Sequence, residues 1–275
     1  MTTVTAPPRR RSTLVTDSWV IARRGLLHVQ RHPESLTDAT IQPIMFVVLF
    51  AYVFGGAIAA PGGGSYKEFL MGGVFAQTLV FGCFGVAMGL ANDRANGAIQ
   101  RFHALPIQPS AVLWGHAIAS LIRSVIPIVI MSITGLVVGW RIRGGIGDTL
   151  IAFGLMIAFS FAMIWVGVLL ASAMKTVEGV QGVAFIALFP LTFLASTFVP
   201  IDTLPDGLRQ VASWNPTTTL AEAMRVHFHN PGMHPPADAA WPVQHSTTYT
   251  LIWIVALIAV VAPLATRLYW RANRD

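Results

Sequence analysis

Stretches of about twenty mostly apolar residues, near 41–60, 69–91, 123–140, 150–174, 180–200 and 249–266, set the first limit on this chain. A helix of that length rises roughly 30 Å, the thickness of the hydrocarbon layer of a bilayer. Inside hydrocarbon every backbone N–H and C=O must find its partner within the protein, so each stretch reads as a helix. Hydrophobic residues make up 54% of the 275 and charged residues 11%. That charge is roughly half the share of a soluble domain, too little polar surface to face water all round. The sequence therefore predicts an all-α integral membrane protein with six transmembrane helices. Residues 1–32 form a cytoplasmic tail with an interfacial helix, and 33–275 form the transmembrane domain.

An even number of crossings puts both termini on one side. Arg9, Arg10, Arg11, Arg23, Arg24 and Arg31 precede the first crossing, and Arg267, Arg271 and Arg274 follow the last. With both termini cytoplasmic, the connections carrying Arg94, Arg101 and Lys175 also lie inside, and Arg123 can snorkel there. Lys67, Arg141, Arg143, Arg209 and Arg225 are left outside. This asymmetry sets the orientation across the membrane, and it accounts for the net charge of +6 without nucleic acid. No secretory signal opens the chain, because the first long apolar run starts only near Ile41.

Several chemistries are excluded. Cys83, the single cysteine, has no disulfide or thiol partner. The two lysines, Lys67 and Lys175, do not follow glycine, so the chain lacks a phosphate-cradling Gly-Lys-Ser/Thr loop and is not itself an ATPase. Asp93, Asp148, Glu178 and Asp202 fall at or beyond span ends, which disfavours a proton- or sodium-coupled carrier. His227, His229 and His234 cluster in "VHFHNPGMHPPAD", but the prolines make this a loop, and no metal site is expected. No nucleophile–base pair is recognisable, so no catalytic residue is assigned.

Two segments are expected to lie along the membrane. Val15, Trp19, Ala22, Leu26 and Val29 form a helical stripe, and Trp19, Arg23 and Arg24 mark its interfacial character, facing either lipid or the bundle. Residues 202–228 read as two short external helices. Thr203 and Asp206 suggest a capping box, Asn215-Pro216 a second helix start, and Glu222 and Arg225 a pair one turn apart near the interface. Small-residue pairs Gly85/Gly89, Gly135/Gly139 and Gly154/Ala158 suggest close helix packing.

Between the second and third apolar runs stands "NDRANGAIQRFHALPIQP", residues 92–109. Ala95, Ala98, Ile99, Phe102 and Leu105 give it one apolar face, and Pro106 and Pro109 end it. Continued into "SAVLWGH", it resembles the loop between the second and third spans of type-2 ATP-binding-cassette (ABC-2) permeases. "FVPIDTLPDGLRQVASWNPTTTLAEAMR" resembles the segment before the last span of that family, with its Pro-x-x-x-Leu-Pro, Asn-Pro and Glu-Ala-x-Arg elements. The likeness covers nearly the whole chain and is closest to daunorubicin-resistance-type efflux permeases of actinobacteria. Departures are Asp93 in place of Glu, Asn96 in place of an acid, Ala98 in place of Thr, and His116 after Gly115.

The resemblance implies a coupling helix at about 92–109 that touches a separate ATPase subunit. Asp93, Arg94, Gly97, Arg101, Phe102 and Pro106 carry that role. It also implies a second permease copy or a homologous permease, and ATP and Mg held by the ATPase rather than by this chain. The implied activity is export of a hydrophobic drug, antibiotic or natural product. Phe75, Gln77, Thr78, Phe81, Thr192, Phe193 and Ser196, polar or aromatic groups within spans, are candidates for the substrate pathway. Two alternatives stand beside this reading: a permease for a lipid or lipid-linked saccharide, and a non-transporting membrane scaffold or enzyme.

Overall fold

A computed structural model describes residues 14–31, 34–58, 60–97, 109–236 and 238–272, and long helices dominate them. An N-terminal helix α1 (Leu14–Arg31) leads to α2 (Glu34–Leu49), which runs on through a wide π turn at Phe50–Phe54. Then come α3 (Tyr66–Ala95), α4 (Pro109–Val138), α5 (Ile146–Ala173) and α6 (Val177–Phe193). Two short helices, α7 (Asp206–Ser213) and α8 (Pro216–Phe228), match the two expected before the last crossing. A single turn, α9 (Trp241–Gln244), precedes α10 (Ser246–Ala256), a second π turn at Leu257–Val261 and α11 (Ala262–Ala272). No strand occurs among the described residues.

Four helices are long and apolar enough to cross a membrane: Tyr66–Ala95, Leu113–Val138, Ile146–Ala173 and Ser246–Arg271. The other two expected spans, Ile41–Phe54 and Val177–Phe193, are shorter apolar helices. The apolar runs extend to 60 and 200, but their last residues leave the helix. At the end of α6, side chains from the following segment take over the terminal carbonyls that a helix leaves unpaired. Asn215 Nδ2 donates to Leu191 O at 2.7 Å and Leu194 O at 3.2 Å, and Thr197 Oγ1 donates to Thr192 O at 3.0 Å. Conversely, α4 starts well before the expected position 123, because nothing after Pro109 breaks a helix until Pro127, which is accommodated inside it.

α3 is the central helix, packed against α2, α4, α5, α6 and α8. Of the apolar windows of α3 and α5, 56% is buried within the protein, against 22% for α4 and 11% for the last crossing. The core is therefore the α3–α5 pair, and the outer helices turn most of their apolar surface outward. α1 packs along α4 through Ile21, Ala22 and Gly115, while Val15, Trp19 and Val20 stay exposed. Its stripe is thus divided between the two faces proposed for it.

Of the small-residue pairs read from the sequence, Gly135 stands at a close approach, where a Cβ would lie 2.6 Å from Met71 Cε on α3. A Cβ on Gly85, Gly89, Gly139 or Gly154 would meet nothing within 4 Å. The contacts against backbone use other glycines. A Cβ on Gly167 would strike the Cys83 carbonyl, and one on Gly73 would strike the Thr197 carbonyl. Spacing alone does not say which face of a helix meets a neighbour. Thr203 likewise makes no capping box: its hydroxyl donates to Pro200 O at 2.7 Å, and Pro205 precedes α7 without a side-chain cap. Asn215 does cap α8, its Oδ1 accepting from Thr217 N at 2.8 Å.

Gly167→Ala and Gly73→Ala are expected to destabilise the bundle by about 1–3 kcal/mol, since in each the new methyl meets backbone rather than a movable side chain. Gly85→Ala is expected to leave stability unchanged or slightly raised. Thermal unfolding midpoints of the detergent-purified variants check both.

Candidate functional site

Two polar clusters stand at opposite ends of α3, and each ties that helix to its neighbours. Asp93 and Arg94 form its last turn rather than part of a separate loop helix, which corrects the sequence expectation. The helix ends because Gly97 adopts φ 67°, with its N–H donating to Arg94 O at 3.0 Å. Arg94 reaches across to the C-terminal end of α5. Its Nη1 donates to Met174 O at 2.7 Å and its Nη2 to Ala171 O at 2.8 Å. These carbonyls carry the negative end of the α5 dipole, where a cation is most favourable. On the other side, Asp93 Oδ2 lies 3.6 Å from His116 Nε2 on α4. The end of α3 is thus tied to α5 by one residue and set against α4 by its neighbour. Gly97 is the last described residue before 98–108; Arg101, Phe102 and Pro106 lie outside the described residues. On α1, Trp19, Arg23 and Arg24 are all exposed, and Leu26 and Val29 lie outside the described side chains.

At the other end, α8 enters the bundle and brings a charge with it. Arg225 is fully buried, and every nitrogen of its guanidinium has a partner. Nη1 donates to Glu222 Oε1 and to Ser196 Oγ, both at 2.7 Å; Nη2 donates to Ser196 O at 2.6 Å; Nε donates to Phe69 O at 3.0 Å. Ser196 Oγ in turn donates to Glu222 Oε1 at 2.7 Å. The guanidinium carbon sits 3.6 Å from the centroid of the Phe69 ring, a cation–π contact in a site without water access. Burial pushes the Arg225 pKa down, and the Glu222 carboxylate and its hydrogen bond oppose that shift. The pairing expected from spacing is therefore present, and it is buried within the protein.

Residues that the sequence reading passed over make this cluster possible. Gly72 leaves room for the Arg225 stem: a Cβ there would lie 3.0 Å from Arg225 Cγ and 2.9 Å from Ala221 O. Asn230 accepts from Trp140 Nε1 at 2.6 Å, donates to Arg141 O at 2.9 Å, and takes Arg225 O through its backbone N–H at 2.9 Å. Arg143, itself mostly exposed, reaches the buried Glu68 at 2.9 Å. The signal for these contacts was present as a Gly72-Gly73 pair inside one span, Trp140 at the end of another and Asn230 after α8, but their partners are far apart in sequence.

The histidine loop has a structural use. His227 Nδ1 lies 3.1 Å from Asp148 Oδ1 and its Nε2 lies 3.0 Å from Thr247 Oγ1; His229 Nε2 lies 3.5 Å from Asp148 Oδ2. These contacts join α8 to α5 and α10. Among the described residues, no group of three or more His, Cys, Asp or Glu is placed to hold a metal.

The candidate pathway residues divide. Phe75 is buried against Trp140 and Phe228, and Ser196 is engaged by Arg225. Thr192 is buried and donates to Leu188 O, and Gln77 is buried as well. Thr78 and Phe81 are half-buried, with the Thr78 hydroxyl donating to Val74 O. Phe193 is exposed and belongs to an array of phenylalanines. Phe50 stacks on Phe198 at 4.1 Å and on Phe54 at 5.0 Å, Phe189 on Phe193 at 4.2 Å, and Phe193 tilts onto Phe198 at 5.5 Å. Phe54, Phe189 and Phe193 open this array outward.

The family described as ABC-2 type transporter matches residues 16–229, from the first turn of α1 to the end of α8. Over 263 residues the chain is 29% identical to the daunorubicin resistance ABC transporter permease protein DrrB1 of Streptomyces coeruleorubidus, covering 96% of this chain and 89% of that one. It is 28% identical over 260 residues to the probable doxorubicin resistance ABC transporter permease protein DrrC of Mycobacterium tuberculosis, covering 91% and 87%. It is also 22% identical over 217 residues to the putative transport permease ycf38 of Cyanophora paradoxa, covering 78% and 74%.

Replacing Arg225 by Met leaves the Glu222 carboxylate buried without its cation and is expected to cost about 3–5 kcal/mol. Adding Glu222→Gln to that variant is expected to restore part of the loss. Thermal unfolding of both single variants and of the double variant measures the coupling, and strictly additive losses would show that there is none.

Proposed function

The chain belongs to the ABC-2 type transporter family, and we propose on that premise that it is the membrane permease subunit of an ATP-driven exporter of hydrophobic drugs or natural products. Six passes with both termini cytoplasmic complete the pathway-forming half, the two shorter apolar helices crossing beside the four long ones. A second copy, or a homologous permease, supplies the other half. A separate ABC ATPase subunit holds ATP and Mg and performs the hydrolysis.

One observation carries this reading. The polypeptide leaves α3 for residues 98–108 through a turn that is tied to the end of α5 by Arg94 and lies against α4 at Asp93. A push delivered to Arg101, Phe102 and Pro106 by an ATPase subunit therefore enters the central helix and two neighbours together. Within this reading Arg94 and Asp93 are positioning residues inside the permease, while Arg101 and Phe102 meet the ATPase, with Phe102 as the apolar anchor. The outward-opening phenylalanine array, with Thr78 and Phe81, provides the apolar surface along which a substrate moves. Two relatives are named for resistance to daunorubicin and doxorubicin, which supports a hydrophobic drug as the cargo.

The test is co-purification with the cognate ATPase, followed by ATP-dependent drug accumulation in inverted vesicles. Arg101→Glu combined with Phe102→Ala is expected to leave the permease folded in the membrane and to reduce drug-stimulated ATP hydrolysis by tenfold or more, about 1.4 kcal/mol. Full stimulation in that variant would refute the coupling assignment.

A further inference from the structure

The face of α1 that does not pack on the bundle forms, with the start of α4, an apolar groove of about 340 Å3 lined by Val15, Ser18, Trp19, Trp114 and Ile118. That volume lies at the lower end of the range of small-molecule sites, roughly 300–1,000 Å3. Four features of the groove point to one occupant. Val15 and Trp19 are 77% and 55% exposed, and Trp114 is 41% exposed, so the walls are apolar surface left uncovered by the described residues. Trp114 stands one residue into the crossing that begins at Leu113, at the depth where tryptophans settle between hydrocarbon and headgroups. Ser18, also a lining residue, is only 3% exposed, and its Oγ has no hydrogen-bond partner among the described residues. A buried hydroxyl without a partner is costly, and a polar atom of a bound molecule removes that cost. Finally Arg23, exposed, follows Trp19 by one helical turn and so stands on the same side of α1.

An apolar trough, a hydroxyl at its floor and a cation at its rim match an acyl chain, an ester group and a phosphate. We infer that the α1–α4 groove is a binding site for an anionic phospholipid of the leaflet at that end of the bundle, its acyl chain between Trp19 and Trp114 and its phosphate at Arg23. The site rests on the membrane location of the chain alone and is independent of what the protein transports. It fastens α1 to the bilayer as well as to α4, where Gly115 allows the two helices to touch at Ile21 and the Ser18 carbonyl.

The full chain in phosphatidylcholine vesicles, doped equally with acyl-photoreactive phosphatidylglycerol or acyl-photoreactive phosphatidylcholine, tests this by mass-spectrometric mapping of adducts. The anionic probe is expected to label residues 14–24 and 111–118 about fivefold more than the zwitterionic one, the preference of one basic residue near a membrane surface. Arg23→Gln brings the two probes level. Trp19→Ala, and separately Ser18→Leu to fill the floor, reduce labelling by both, while labelling around the exposed Ile186 of α6 stays constant as the measure of correct insertion. Equal labelling by the two probes in the unaltered chain would mean annular lipid only and overturn the proposal. Disappearance of the adducts on adding a partner ATPase subunit would assign the groove to protein instead and overturn it too.

Discussion

Arg225 holds a guanidinium in the interior of an apolar bundle, and much of the surrounding structure follows from satisfying it. An uncompensated charge in that setting is costly, and each nitrogen of the guanidinium meets an acceptor. The acceptors come from separate places in the sequence: Glu222 on the same helix, Ser196 after α6, and the Phe69 carbonyl near the start of α3. Meeting all three fixes how α8 is inserted, where α6 stops and how close α3 approaches, with Gly72 supplying the clearance. A lysine at 225 would keep the charge but lose the planar fork that addresses these acceptors together.

α3 is the member common to this cluster and to the one formed by Asp93 and Arg94 at its far end. It spans 30 residues without interruption and, of the four long apolar helices, shares with α5 the largest buried part. A displacement applied at Arg94 therefore reaches Phe69 along a continuous helix about 37 Å long. The helices that surround this axis are less constrained, with most of their apolar surface turned outward.

The helices were legible in the sequence because hydrophobic length is a local signal, and so were the Asn215 cap and the Glu222–Arg225 spacing, which need only one to four residues of context. The contacts that organise the bundle were not legible. Arg225 and Phe69 are separated by 156 positions, and Arg94 and Met174 by 80. Gly167 and Gly73 do not differ in composition from Gly85 and Gly154; only the facing helix distinguishes a close contact from open space. Helix ends were misplaced for a related reason: α6 stops where side chains from a later segment take its carbonyls, and the apolar pattern continues past that point. Asp93 and Arg94 looked like loop residues because they are charged, yet the carbonyls of α5 give Arg94 a partner at a span end.

The two π turns, at Phe50–Phe54 and at Leu257–Val261, occur in the lightly packed first and last apolar helices and in neither member of the central pair. The second precedes Pro263, which lacks an N–H to continue an ordinary ladder. Each wide turn holds one surplus residue, the signature of a helix that carries an insertion without breaking. With 3.6 residues to an ordinary turn, one surplus residue offsets the faces on its two sides by about 100°. The first and last apolar helices therefore present different sides to their neighbours before and after the wide turn, which an unbroken rod of the same length would not do.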